Sequence, residues 1–199
     1  EKLSIRRLGT AFGIQRLMPG RMRDMEAMLP HVPLRPLQQV LPRITEAIGE
    51  SRQRIGFFLG CAQSLMFANQ SAATVRVLAR NGCTVITPGE TICCGVPALE
   101  YGRRDLTQEQ ARHNIALYEA ANVEIIVADC ATCGSMLKRY DQILEDDPEW
   151  AERAAAFSHK VRDVSEFLVS LPLVKPERRI NARVTYHDPC HLRHGQGIW

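Results

Sequence analysis

The sequence predicts an α/β fold, a parallel sheet with flanking helices whose cysteines gather at the carboxyl ends of the strands, preceded by a helical arm. Three observations carry that expectation. From Arg54 onward, short apolar runs alternate with stretches of helical periodicity, the pattern of strand and crossover helix in a parallel sheet. One run, Val123-Glu-Ile-Ile-Val-Ala128, is nearly all apolar, as strands covered on both faces tend to be. Each of the apolar runs leads within a few residues to cysteine, where open α/β sheets place their ligands.

Residues 1–54 come first and read as a connecting arm. They hold five of the eleven prolines (Pro19, Pro30, Pro33, Pro36, Pro42), which divide them into helical pieces near 3–17, 20–29 and 36–50. Ten Lys and Arg face five Asp and Glu there, against a net charge of +3 for the whole chain. Such a basic segment suits a solvated helical face, an acidic partner or anionic lipid head groups. Its methionines read as packing residues.

The domain expected over residues 55–199 starts with a buried strand, Ile55-Gly-Phe-Phe-Leu-Gly60, ending at Cys61. A helix carrying Ala72, Val75, Leu78 and Ala79 follows and stops at Asn81-Gly82. Thr84-Val-Ile-Thr87 is the second strand, and Pro88-Gly89 turns the chain into the loop of Cys93-Cys94. Thr107 and Gln110 suggest a capping box for a helix with Ala111, Ile115 and Tyr118 on one face. The third strand, 123–128, delivers Cys130. A helix with Met136, Leu137, Tyr140, Ile143 and Leu144 comes next, then helical pieces near 148–158 and 163–171. Ala182-Arg-Val-Thr-Tyr186 reads as a fourth strand, ending at His187-Asp188-Pro189-Cys190.

Five of the seven cysteines form one spaced constellation. Cys61 is followed after 31 residues by Cys93-Cys94, and that pair after 35 by Cys130-Ala131-Thr132-Cys133. A single zinc takes four ligands, usually as two Cys-x-x-Cys knuckles, and adjacent side chains rarely share one tetrahedral ion. A cluster of several irons can take neighbouring thiolates on different metals. The residues therefore read as an iron-sulfur site. The rival for Cys130 and Cys133 alone is a dithiol oxidoreductase, since both open a helix whose dipole favours thiolate. That reading leaves Cys61, Cys93 and Cys94 without a role. Gly95 and Gly134 each follow a candidate ligand and would let backbone approach a bulky cluster, the ordinary alternative being a turn glycine. Cys83 reads as a buried apolar residue. Cys190 with His187, His191 and His194 is a weak metal signal by itself.

The order Cys61, Cys93-Cys94-Gly95, Cys130-Ala-Thr-Cys133 resembles the cysteine-rich CCG domain found in heterodisulfide reductase, lactate-utilisation proteins and the iron-sulfur subunit of glycolate oxidase. The stretch His187-Asp-Pro-Cys-His-Leu-Arg-His-Gly-Gln-Gly197 resembles the opening of a second CCG repeat in the glycolate oxidase form, so that the second repeat is only begun at 183–199. The likeness covers roughly 55–199. It implies one iron-sulfur cluster, a [4Fe-4S] type with a noncubane form as the variant, on Cys61, Cys93, Cys94, Cys130 and Cys133, with Cys190 as the lead ligand of the second repeat. It also implies an electron-transfer subunit of a glycolate or other 2-hydroxyacid dehydrogenase, with an FAD-containing partner subunit that oxidises the substrate. Such a complex is cytoplasmic or peripheral at the inner face of the membrane, and this chain alone turns nothing over. The alternatives are a heterodisulfide-reductase-like redox subunit and a zinc-binding structural module.

The chain begins at Glu1 and ends nine residues after Cys190, and is expected to be a fragment whose relatives carry ferredoxin-like clusters before it and the rest of a second repeat after it. No apolar run approaches the ~20 residues of a membrane span. Basic residues lack interleaved aromatics, and no phosphate loop or nucleophile elbow is present, so nothing points to nucleic acid.

Overall fold

The computed structural model describes residues 9, 12, 13, 19–28, 33–176 and 178–199. The 3–17 helical piece lies almost wholly outside them. Among the described residues a sheet runs in the order β1-β3-β2-β4-β5, made of β1 (Ile44–Thr45), β2 (Gln53–Phe58), β3 (Cys83–Ile86), β4 (Ile125–Ala128) and β5 (Val161–Asp163). Only β1 is antiparallel, pairing Ile44 with Ile86. The other pairings are parallel, with β2 central and in register through Ile55 with both Val85 and Ile125.

The helices are α1 (Gly20–Met28), α2 (Leu37–Val40), α3 (Cys61–Met66), α4 (Ala68–Arg80), α5 (Val96–Glu100), α6 (Arg104–Ala120), α7 (Ala131–Leu137), α8 (Tyr140–Ile143), α9 (Ala151–Lys160), α10 (Val164–Val169) and α11 (Cys190–Gln196). Side chains alternate across a strand, so the central strands feed two cores. Phe58, Ile126 and Ala128 face one core, with Ile115, Tyr118, Leu137, Tyr140 and Phe157 from α6 to α9. Ile55, Phe57 and Val127 face the other, with Val75 and Leu78 of α4, Phe167 of α10 and Leu37 of α2. In the first core, Tyr140 stacks on Phe157 at 5.4 Å, and Tyr118 meets the same ring edge-on at 6.1 Å. Gly56 makes this possible: a Cβ there would stand 2.9 Å from the Tyr118 ring.

Four expectations need correction. Residues 182–186 form no strand: the segment is irregular and exposed, with Val184 87% and Tyr186 70% accessible. The fourth parallel strand is instead Val161–Asp163, which pairs with β4 through Val161 and Ile126. At three residues it has no readable alternation. Asp163 then caps α10 directly, accepting from the Ser165 N–H at 2.8 Å while Glu166 accepts from the Asp163 N–H at 3.2 Å, so strand passes to helix without a loop.

The expected 36–50 helix is only Leu37–Val40, because β1 pairs with the free edge of β3. The capping box at Thr107 and Gln110 is absent. α6 starts one turn earlier, at Arg104, and Thr107 sits inside it with its hydroxyl donating to the Gly95 carbonyl at 3.3 Å and the Arg103 carbonyl at 3.1 Å. Finally, the expected helix after Cys133 is two, α7 and α8, separated at Lys138-Arg139. Among the described residues no helix is long and apolar enough to cross a membrane.

Candidate metal centre

Parallel strands all release their chains at one edge of the sheet, and three of those exits carry cysteine. β2 ends at Phe58, and α3 begins with Cys61 behind Gly60. After β3 the loop 87–95 carries Cys93 and Cys94. β4 ends at Ala128, Cys130 precedes α7 as its cap, and Cys133 lies in the first turn. All five thiols line one cavity of about 230 Å³, together with Gly60, Ala62, Gln63, Val96, Pro97 and Thr132.

The cavity has a buried floor and an open lip. Cys94 and Cys133 are 3% and 7% exposed, Cys93 and Cys130 are half-buried, and Cys61 is exposed. Cys61 and Cys93 form the lip, their sulfurs 4.0 Å apart. A Cβ on Gly60 would stand 3.1 Å from the Cys133 sulfur, so this glycine keeps the floor open.

Within the cavity the thiols interact directly. Cys94 is held well below the ordinary thiol range, first because Cys133 and then Cys93 donate to its sulfur, with the Val96 N–H adding to them against the cost of burial. Cys130 is also lowered, chiefly by donation from Cys133 and then by the N–H groups of Cys133 and Thr132 at the start of α7. The donors take the opposite shift: Cys133 rises far, through its bonds to Cys130 and Cys94 and through burial, and Cys93 rises through its bond to Cys94. No carboxylate, imidazole or amine lines the cavity.

Five thiols, with Gln63 and Thr132 as the polar side chains beside them, suit a soft, thiophilic group such as an iron-sulfur cluster. Five sulfurs around a cavity exceed what one tetrahedral zinc needs. Among the described residues no three His, Cys, Asp or Glu side chains are drawn together around a single ion position.

The other expected residues lie elsewhere. Gly95 does not line the cavity; its φ of 100° turns the chain into α5, and a Cβ there would stand 2.8 Å from Thr107 Cγ2. Gly134 faces α11, where a Cβ would stand 3.0 Å from Gln196 Nε2. Cys83 is buried in the second core, as expected. Cys190 is exposed and opens α11; no strand precedes it, and its sulfur lies 3.3 Å from His191 Nδ1. It does not line the cavity.

Several supporting residues carry no motif signal. Gln63 donates to the Asp129 carbonyl at 3.4 Å, and Ser71 to the Asp129 carboxylate at 2.6 Å, fixing the chain just before Cys130. Burial raises the Asp129 carboxyl. Asn114 and Tyr140, both fully buried, reach the backbone of Cys93 and Cys94. The signal that could have found Asn114 is a polar residue on the apolar face of α6, one position before Ile115.

Comparison with known proteins agrees with this geometry. Residues 55–138 match the family model of the cysteine-rich domain, CCG. A probable glycolate oxidase iron-sulfur subunit of Bacillus subtilis is 39% identical over 183 residues, 91% of this chain and 41% of that protein. Lactate utilization protein A of an Exiguobacterium species is 34% identical over 145 residues, 72% of this chain and 59% of that protein. A fumarate reductase (CoM/CoB) subunit of Methanothermobacter marburgensis is 34% identical over 154 residues, 77% of this chain and 29% of that protein. The chain thus spans about two fifths of the first relative's length.

Proposed function

We propose that this chain, which belongs to the cysteine-rich CCG family through residues 55–138, is the cluster-bearing part of an iron-sulfur subunit in a 2-hydroxyacid-oxidising complex. The observation that carries the reading is the meeting of Cys61, Cys93, Cys94, Cys130 and Cys133 on one thiol-lined cavity. Those five side chains would hold the cluster, and the cluster supplies one-electron transfer. The protein's own share is to deliver thiolates from three strand exits, to donate N–H groups to sulfur, and to leave Cys61 at the surface, where an electron path to a partner begins.

The cavity holds no candidate base and the sequence no flavin fingerprint. In this reading substrate oxidation belongs to an FAD-containing dehydrogenase as partner, and the names of the glycolate oxidase and lactate-utilisation relatives support a redox complex of this kind. The complex is placed by this reading in the cytoplasm or peripherally at the inner face of the membrane, with which the lack of a membrane-crossing helix among the described residues is consistent.

A second reading, disulfide redox chemistry at a noncubane cluster, draws on the Cys61–Cys93 lip, which presents two thiols 4.0 Å apart to solvent. Anaerobic reconstitution with iron and sulfide, followed by metal analysis and EPR of the reduced protein, tests the cluster. A colourless, sulfide-free protein that binds only zinc would reject it and favour a structural module.

A further inference from the structure

The loop bearing Cys93 and Cys94 has no regular secondary structure, yet three successive carbonyls in it are gripped by side chains that are themselves fully buried. Asn114 Nδ2 donates to the Cys93 carbonyl at 3.2 Å. Tyr140 donates to the Cys94 carbonyl at 3.0 Å. Thr107 donates to the Gly95 carbonyl at 3.3 Å, which also accepts from the Leu99 N–H of α5. Two of the grips are linked, since Asn114 Nδ2 also donates to the Tyr140 hydroxyl at 3.2 Å, and the Asn114 Oδ1 accepts from the Ile92 N–H at 3.2 Å.

A trans peptide is a rigid plane whose C=O and N–H point in opposite directions. Fixing a carbonyl on one side therefore aims the following N–H to the other. The planes here are all trans. The planes gripped at the Cys93, Cys94 and Gly95 carbonyls end in the Cys94, Gly95 and Val96 N–H groups, on the far side from the gripping side chains; the Gly95 N–H favours the Cys93 thiolate, and the Val96 and Cys94 N–H groups favour that of Cys94. Each grip on the helix side is matched by an N–H on the cavity side.

We propose that Asn114, Tyr140 and Thr107 are positioning residues that aim three peptide N–H groups of the Cys93–Val96 loop at the sulfurs of the cluster ligands and thereby set its reduction potential. The inference rests on the cluster reading given above. Hydrogen bonds to sulfur stabilise the more negatively charged, reduced cluster, so their number raises the potential, and the orienting groups behind a ligand tune it as much as the ligand does. Asn114 and Thr107 come from α6 and Tyr140 from α8, so the packing of the first core reaches the redox site through them.

The test uses the reconstituted chain and Tyr140→Phe, with Thr107→Val as a second, isosteric loss of a hydroxyl. Tyr118→Phe is the matched control: Tyr118 is equally buried, packs on the same Phe157 ring, and gives its hydroxyl to the Phe57 carbonyl at 2.8 Å; it meets the ligand loop at the Thr91 side-chain hydroxyl, 3.4 Å away, and not at the carbonyls of Cys93, Cys94 or Gly95. The readouts are the midpoint potential and the number of exchangeable protons coupled to the reduced cluster, seen by ENDOR before and after transfer to D₂O. Tyr140→Phe and Thr107→Val are expected to keep full iron, to titrate at lower potential than wild type, and each to lose one strongly coupled exchangeable proton. Tyr118→Phe is expected to lower the melting temperature with neither change. Unchanged potential and proton count in both variants would overturn the inference, as would an equal shift in Tyr118→Phe. A wild-type chain that takes up no iron and sulfide would instead reject the cluster reading itself.

Discussion

Gln196 of α11 donates its Nε2 to the Ala131 carbonyl at 3.0 Å, tying the last helix to the first turn of the helix that carries Cys130 and Cys133. The contact is close because two glycines allow it. Gly134 on α7 faces the Gln196 amide, and Gly195 on α11 faces Ser135.

Gln196→Ala removes a part-buried hydrogen bond between α11 and the Ala131 carbonyl. The expected cost is about 1 kcal/mol, on the order of one intramolecular hydrogen bond. Urea denaturation of the metal-free chain measures it. Gly195→Leu should cost more than Gln196→Ala, since the added side chain must displace Ser135. A Gly195→Leu chain as stable as wild type would mean that α11 does not pack on α7 in solution.

The ligand set is tested by three serine substitutions. Cys94→Ser is expected to lower iron content and, with it, the stability that cluster binding lends to the fold. Cys83→Ser should keep the iron, though burying a hydroxyl in the second core costs roughly 1 to 3 kcal/mol. Cys190→Ser should be nearly silent, because its side chain is exposed and outside the cavity. Iron and sulfide stoichiometry separates the three, and equal iron loss from Cys83→Ser and Cys94→Ser would reject the set.

Two glycines with positive φ make a matched pair for backbone strain. Gly95 (φ 100°) has Thr107 Cγ2 at 2.8 Å from a built Cβ, whereas Gly102 (φ 75°) has nothing within 4 Å. Gly102→Ala should cost about 1 kcal/mol, the left-handed penalty alone. Gly95→Ala adds a steric clash in a loop that holds two ligands, so it should cost more and also reduce iron uptake. Melting temperature and iron content of the two variants check the contrast.

The thiol shifts give a pH dependence. Cys130 is lowered because it accepts from Cys133, so its thiolate is present at lower pH than in an ordinary thiol, whose pKa is about 8.5. Alkylation of Cys130 in the metal-free chain should therefore rise with pH and reach half its plateau on the acid side of that value, read by peptide mass analysis after short iodoacetamide pulses. Cys133→Ala removes the donor and should move the midpoint upward. A midpoint that stays put would show that Cys133 does not donate to Cys130.

Much of this was legible in the sequence. The apolar runs at 55–60, 84–87 and 123–128 hold most of the strands Gln53–Phe58, Cys83–Ile86 and Ile125–Ala128, as short continuous apolar segments suit a sheet covered on both faces, and their common exit edge gives Cys61, Cys93-Cys94 and Cys130 one address. Cysteine spacing alone supplied the candidate ligands, and the structure gathers all five on one cavity.

Tertiary structure decided what pairing and packing decide. Val161–Asp163 is a strand because β4 offered it an open edge, while Ala182–Tyr186, with the better strand pattern, found no partner among the described residues and lies exposed. Thr107 looked like a helix start, but its hydroxyl serves the Gly95 carbonyl, a partner twelve residues away that no local pattern can announce. Asn114 and Tyr140 sit within ordinary helical periodicity, and only the approach of α6 and α8 to the Cys93-Cys94 loop turns them from core residues into its supports. Local sequence determines which segments are apolar and where thiols occur; which edge is free, and which buried donor meets which carbonyl, depends on contacts between residues far apart in the chain.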